Sequence, residues 1–230
     1  MRNQLSEREP STPQNLAKVY FNQAAELYGE NLYIDKSIFQ IENEWSSLVE
    51  FESAICNCQK CPLSQNRTKF VFGVGNSNSD LLFVGEGPGQ EEDLKGEPFV
   101  GRAGHLLDKI LAAIQMTRDE VYICNMVKCR PPENRNPQQE EIDACFHYLE
   151  TQIQMVDPKL IVALGRIAAH ALLNVKTPIG QLRSKMWKWR QYDLVVTYHP
   201  AALLRNPGFK PPAWEDFKWI RKMITGNKDA

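Results

Sequence analysis

The sequence predicts an α/β fold built on a central parallel sheet, and three observations predict it. Four short apolar runs recur after Asp80: Leu81–Gly85, Val121–Val127, Leu160–Gly165 and Leu194–Tyr198. Each is continuously apolar rather than alternating, as in strands buried on both faces. Segments with helical spacing lie between them, and strands alternating with helices make a parallel sheet.

Taken in order, residues 1–14 are polar, carry Pro10 and Pro13, and read as a disordered start. Residues 15–30 and 43–55 have helical spacing, the latter with Trp45, Leu48, Phe51 and Ile55. Further helices are expected near 102–115, 137–155, 166–174 and 212–225. Asn136-Pro137 followed by Glu140 and Glu141 reads as a helix start. In folds of this class ligands bind at the carboxyl ends of the strands. The residues to examine are therefore Glu86-Gly87-Pro88, Asn125, Lys128-Cys129, Arg166 and His199-Pro200.

Composition narrows the class. The chain has 230 residues, enough for one domain with an appendage or two small domains. Its 43% hydrophobic and 24% charged content is that of a globular protein. The apolar runs are far too short to cross a bilayer, so no membrane association is expected. The N-terminus lacks the apolar core of a secretory signal. Six cysteines are too sparse for a disulfide scaffold; thiols or metal ligands in a reducing, cytoplasmic compartment are expected. The net charge of −1 argues against a general nucleic-acid binder, but residues 159–230 carry thirteen basic and four acidic residues, a balance of +9. One basic face that meets a polyanion would account for this.

Two segments carry chemistry. Cys58-Gln-Lys-Cys61 is a C-x2-C pair, and Cys129 and Cys145 follow with fifteen residues between them. Four thiolates suit tetrahedral zinc or an iron–sulfur cluster, and the pattern alone does not separate them. Cys124 sits inside an apolar run and reads as a small core residue; Cys56 is left over. The second segment, GEGPGQEED, directly follows the first run. It fails as a dinucleotide fingerprint because Gln90 stands at the last position, and it lacks the Gly-Lys-Ser/Thr of a Walker loop. Its acidic residues would repel phosphate, so it suits a neutral ligand or the activation of water.

Three long motifs in order, GEGPGQEEDLKGEPFVGRAGHLLDKIL, VYICNMVKCRPPENRNPQQEEIDAC and HPAALLRNP, resemble those of family 4 uracil-DNA glycosylases, the iron–sulfur-containing members of that superfamily. The resemblance runs from about Phe51 to Met223. It implies a three-layer αβα sandwich with a central four-stranded parallel sheet in a domain of residues 44–230. Residues 1–43 are not covered by it; this extension could bind a repair or replication partner or simply cover the core. It implies a structural [4Fe-4S] cluster on Cys58, Cys61, Cys129 and Cys145. The activity it implies is hydrolysis of the N-glycosidic bond of uracil in DNA, single- or double-stranded, by a monomer that leaves an abasic site.

That chemistry needs a flat apolar wall, donors aimed at the uracil oxygens and a placed water, with the nucleotide flipped out of the stack. By resemblance Phe99 stacks on the base, Asn125 pairs with its edge, His199 donates to O2, and Glu86, Gly87 and Pro88 line the pocket. The family 1 loop reads GQDPYH, and its water-placing aspartate corresponds to Gly87 here. Glu86 and Glu92 are therefore the candidates for placing water, Glu86 the favoured one. Leu203 or Leu204 would fill the gap left by the flipped base, and Arg205, Lys128 and Arg130 would contact phosphates. Relatives that link covalently to DNA carry a histidine-containing insertion absent from KCRPPENRNPQQEE. A non-catalytic iron–sulfur or zinc module that only binds nucleic acid is the alternative, and it leaves Glu86, Phe99, Asn125 and His199 without a shared purpose.

Overall fold

The computed structural model describes residues 45–226. The readings of 1–14, 15–30 and the extension over 1–43 lie outside the described residues. Within them, helix α1 spans Leu48–Ile55, β1 Val74–Gly75, β2 Leu81–Gly85, α2 Gln90–Lys95, α3 Arg102–Ala113, β3 Tyr122–Asn125, α4 Gln139–Val156, β4 Leu160–Leu164, α5 Arg166–Leu173, α6 Ile179–Leu182, β5 Trp187–Trp189, β6 Tyr192–Thr197, α7 Pro200–Arg205 and α8 Lys210–Thr225.

The four apolar runs form the expected parallel core, in the order β3-β2-β4-β6. Two short antiparallel strands add to its edges, β1 on β3 and β5 on β6, giving six strands in all. Every residue of β2, β3 and β4 is buried, which is why these runs do not alternate. Side chains of β2 part by the pleat. Leu82 and Val84 face a core completed by Leu149 and Ile153 of α4 and Ala168 and Leu172 of α5. Leu81 and Phe83 face a second core with Leu107 and Leu111 of α3 and Phe217 and Ile220 of α8. Helices thus cover both faces, the three-layer αβα arrangement, and each large apolar side chain so buried contributes about 1.5–3 kcal/mol.

The helix ends follow local chemistry. Glu141 accepts from Gln138 N at 2.7 Å and starts α4 two residues beyond the Asn136-Pro137 signal. The same carboxylate takes both arms of Arg135, at 2.6 and 2.8 Å. Pro200 and Pro211 occupy first-turn positions of α7 and α8, where a missing N–H costs nothing. Chain order across the parallel strands reverses between β2 and β4. The crevice at their carboxyl ends is the place where α/β sheets bind ligands.

Candidate active site

A cavity of about 620 Å³ opens at that crevice. Its walls come from the segment after β2 (Glu86–Gly89, Glu92, Phe99), the end of β3 (Asn125), the segment before α4 (Pro131, Asn134–Pro137), the turn after β4 (Gly165, Arg166) and the segment after β6 (Tyr198, His199, Ala201, Ala202, Arg205). The structure therefore brings together Glu86, Gly87, Pro88, Glu92, Phe99, Asn125, His199 and Arg205.

Asn125 is 2% exposed, and its Oδ1 is buried with no hydrogen-bond partner in the protein. Buried polar groups are nearly always paired, so this oxygen stands out as an acceptor without a protein donor on the wall of the cavity. Gly85 makes room for it: a Cβ there would press on Asn125 Oδ1 and lie 2.6 Å from Phe99 Cζ. Phe99 is buried, and its ring centroid lies 5.4 Å from that of His199, tilted by 33°.

Phe99 holds a left-handed backbone with φ of 55°, a conformation costly for a bulky residue. Both sides of the peptide are tied down. Arg118 donates to the carbonyls of Phe99, at 3.0 Å, and of Pro98. Glu92 Oε1 accepts from Val100 N at 3.0 Å and Gly101 N at 2.8 Å, while its Oε2 accepts from Gly89 N at 3.1 Å. This corrects the reading of Glu92 as a water-placing candidate. Its carboxylate is committed to three main-chain N–H groups and braces the cavity wall.

His199 caps α7, its Nδ1 accepting from Ala201 N at 3.1 Å. An accepting Nδ1 leaves the proton on Nε2, the tautomer that can donate into the cavity. Burial pushes its pKa down to about 4, with the Arg205 cation adding to the effect, so the imidazole is neutral at physiological pH. Gly165, at φ of 91°, lets the chain pass beneath it; a Cβ there would lie 2.8 Å from His199 Cβ. Below this segment, buried Asp216 accepts from Thr197 Oγ1 at 2.6 Å and Arg183 Nε at 2.7 Å, pinning α8 to the end of β6. Tyr198 stacks on Phe209 at 4.4 Å, with Arg183 over its other face.

Glu86 is half-buried, and burial raises its carboxyl above the ordinary range, opposed in part by Arg166 and Arg205. With its amide turned to match donors to acceptors, Asn136 bridges Glu86 Oε1 and Arg166 Nη2, each at 3.2 Å. Asn136 was legible only as a helix start. Arg118 and Asp216 carried no motif, because their bonds go to main-chain carbonyls and to neighbours distant in sequence.

Two DNA-contact readings are corrected. Lys128 has 0% of its surface exposed; its Nζ donates to Asn125 O at 2.8 Å and to Gln152 Oε1, so it cannot reach a phosphate. Leu203 is buried at 2% exposure and packs inward, leaving Leu204, at 38%, as the outward residue of α7. Arg205 is exposed at the rim. Arg130 is half-buried and its Nε donates to Asn134 Oδ1 at 2.8 Å.

Cys58, Cys61, Cys129 and Cys145 line one small pocket of about 10 Å³, with Lys60, Lys128 and Tyr148 around it. None is in a disulfide. Arg67 Nη1 donates to Cys129 Sγ at 3.2 Å and Lys60 N to Cys58 Sγ at 3.4 Å, the kind of hydrogen bond to sulfur that supports a metal ligand. Burial pushes the Cys145 thiol up to about 11. Among the described residues no three His, Cys, Asp or Glu side chains converge on a single ion. Cys124 is buried in β3, and Cys56 donates to Ser53 O at 3.4 Å as an ordinary helix-end thiol.

The family model of the uracil DNA glycosylase superfamily matches residues 72–219. A type-4 uracil-DNA glycosylase of Archaeoglobus fulgidus is 43% identical over 185 residues, covering 77% of this chain and 93% of that protein. One of Thermotoga maritima is 49% identical over 151 residues, 65% of this chain and 79% of that protein. A type-5 uracil-DNA glycosylase of Pyrobaculum aerophilum is more distant, 27% identical over 192 residues. Matches of this extent, spanning every wall of the cavity, make the chain a member of the uracil DNA glycosylase superfamily, of the type-4 group.

Proposed function

We propose that the protein excises uracil from DNA by hydrolysing the N-glycosidic bond, leaving an abasic site. The observation that carries this is the buried Oδ1 of Asn125, without a protein donor, in the cavity that Phe99 and His199 also line. Uracil has one edge on which N3–H lies next to O4. The Asn125 amide matches it, Oδ1 accepting from N3–H while its NH2 donates to O4. Phe99 supplies the flat wall. Neutral His199 donates from Nε2 to O2, where charge gathers as the base leaves. Glu86, in its carboxylate form, holds the attacking water by accepting its proton, and Arg166 and Arg205 favour that form.

The four cysteines are the ligands of a [4Fe-4S] cluster in this reading, their sulfurs drawn from the segment after α1, the segment after β3 and helix α4. When bound, the cluster supplies iron–thiolate bonds that tie these segments together. Arg67 and Lys60 N stabilise the thiolates by donating to them. Leu204 fills the gap in the stack and Arg205 takes a phosphate. No helix among the described residues is long and apolar enough to cross a membrane.

The test is excision on an oligonucleotide with one uracil, scored by alkali cleavage. Asn125→Ala and His199→Ala should each lower single-turnover excision by roughly 100-fold or more, the loss typical of a donor that acts in the transition state. They should leave iron content unchanged. Excision at the parent rate by both variants would remove the site assignment. A thymine oligonucleotide should stay intact.

A further inference from the structure

Among the described residues Lys128 is the one basic side chain that is fully buried, and neither catalysis nor DNA contact explains it. Lys128 lines the cysteine pocket together with Cys129 and Cys145. Its Nζ donates to the main-chain oxygen of Asn125 at 2.8 Å and to Gln152 Oε1. Gln152 is also fully buried and is itself fixed, its Nε2 donating to Phe72 O at 3.0 Å and to the Tyr122 hydroxyl at 3.1 Å. The arms of this network end on Asn125 and Tyr122, the last and first residues of β3, on the main chain at Phe72, and on helix α4 through Gln152.

We propose that Lys128 is a positioning residue for Asn125. By holding the carbonyl of the last β3 residue against α4 through Gln152, it sets the direction in which the Asn125 amide leaves the strand. The inference rests on the reading of Asn125 as the group that recognises the uracil edge. No protein donor holds the Asn125 amide oxygen, so its pose depends on how its own peptide is fixed. Lys128, which does not line the cavity, fixes it through the carbonyl. The same residue stands in the wall of the cysteine pocket, so that pocket and the pose of the amide share one residue. A fully satisfied buried polar network of this kind is stiff, and stiffness is what a group recognising one base edge requires.

The full-length protein with its iron is compared with Lys128→Met, Gln152→Leu, Asn125→Ala and Lys128→Met/Asn125→Ala. Proteins are matched for iron per chain. Three quantities are read: single-turnover excision, affinity for uracil-containing DNA by anisotropy, and affinity for free uracil by titration calorimetry. Lys128→Met should slow excision and weaken free uracil roughly tenfold, the scale of one lost orienting hydrogen bond. DNA affinity should change less than about twofold, since phosphate contacts lie elsewhere. In the Asn125→Ala background the lysine change should add nothing. Gln152→Leu should act in the same direction and decides the matter if Lys128→Met fails to fold or to load iron, because Gln152 does not line the cysteine pocket. Parent-level uracil affinity in both variants, with Asn125→Ala slow, overturns the inference and leaves the Asn125 reading standing. An additive loss in the double variant overturns it too, as the mark of a merely structural residue. Full excision by Asn125→Ala overturns the Asn125 reading, and this inference with it.

Discussion

Asn125 Oδ1 has no donor in the protein, and Glu86 is a second polar group of the cavity that burial penalises. Burial raises its folded pKa above the unfolded value. The native state then binds that proton more tightly than the unfolded chain. Its contribution to stability is present below the unfolded pKa and is lost as pH rises through the folded one. Glu86→Gln should therefore raise Tm at pH 7.5 by a few degrees, about 1 kcal/mol for a domain of this size. That gain should vanish at pH 4, where both side chains are neutral. The same titration governs the reaction. Excision by the parent should climb with pH through a value above the ordinary 4.5 of a glutamate, and residual excision by Glu86→Gln should lack that limb. His199 cannot supply it, being neutral above about pH 4. Melting curves and a pH–rate profile on the two proteins check both claims, and a limb that survives in Glu86→Gln would move the base elsewhere.

At the scale of elements, the fold was legible wherever burial leaves an unmistakable pattern. The runs at Leu81, Val121, Leu160 and Leu194 read as strands because both of their faces are covered. Strands β1 and β5, two and three residues long, were not legible: an edge strand of that length has no periodicity to show, and Trp187-Lys-Trp189 reads equally as a loop. The site was legible in its strand ends and opaque in its braces. Glu86 and Glu92 are chemically alike and stand six residues apart; only the path of the chain shows that one faces the cavity and the other meets three amides. Arg118 is opaque for the same reason, since it binds carbonyls any residue would offer. It does not line the cavity, yet it holds one side of the strained Phe99 peptide, with Asp108 3.2 Å from its guanidinium. Arg118→Met should let Phe99 relax. We expect roughly tenfold slower excision with DNA affinity within about twofold, and a lower Tm, because one charged hydrogen-bond donor is worth about 1.5–3 kcal/mol. Parent-level excision at a lowered Tm would show that the wall needs no brace.

For the whole molecule, the +9 balance of residues 159–230 overstates what DNA can meet. Arg183, Lys188, Arg190, Lys218 and Lys159 are engaged with Asp216, Asp193, Glu150, Glu215 and Asp80. Arg205 instead stands exposed at the cavity rim, one residue past Leu204 on the same short helix. These neighbours should separate cleanly in solution. Removing one phosphate contact lowers the slope of log affinity against log salt by about one, so Arg205→Ala should do so for any DNA sequence. Its excision rate is the wrong readout, because Arg205 also bears on the titrations of Glu86 and His199. Leu204→Ala should leave the salt slope alone. Its effect belongs to the stack: a duplex closes behind a flipped nucleotide unless something apolar fills the space, whereas a single strand has no partner to close on. Leu204→Ala should therefore slow excision from double-stranded uracil DNA by roughly tenfold, the loss expected for truncating one buried apolar contact of about 1–2 kcal/mol, and leave excision from a single strand nearly unchanged. An equal loss on both substrates would mean that α7 shapes the cavity rather than the duplex.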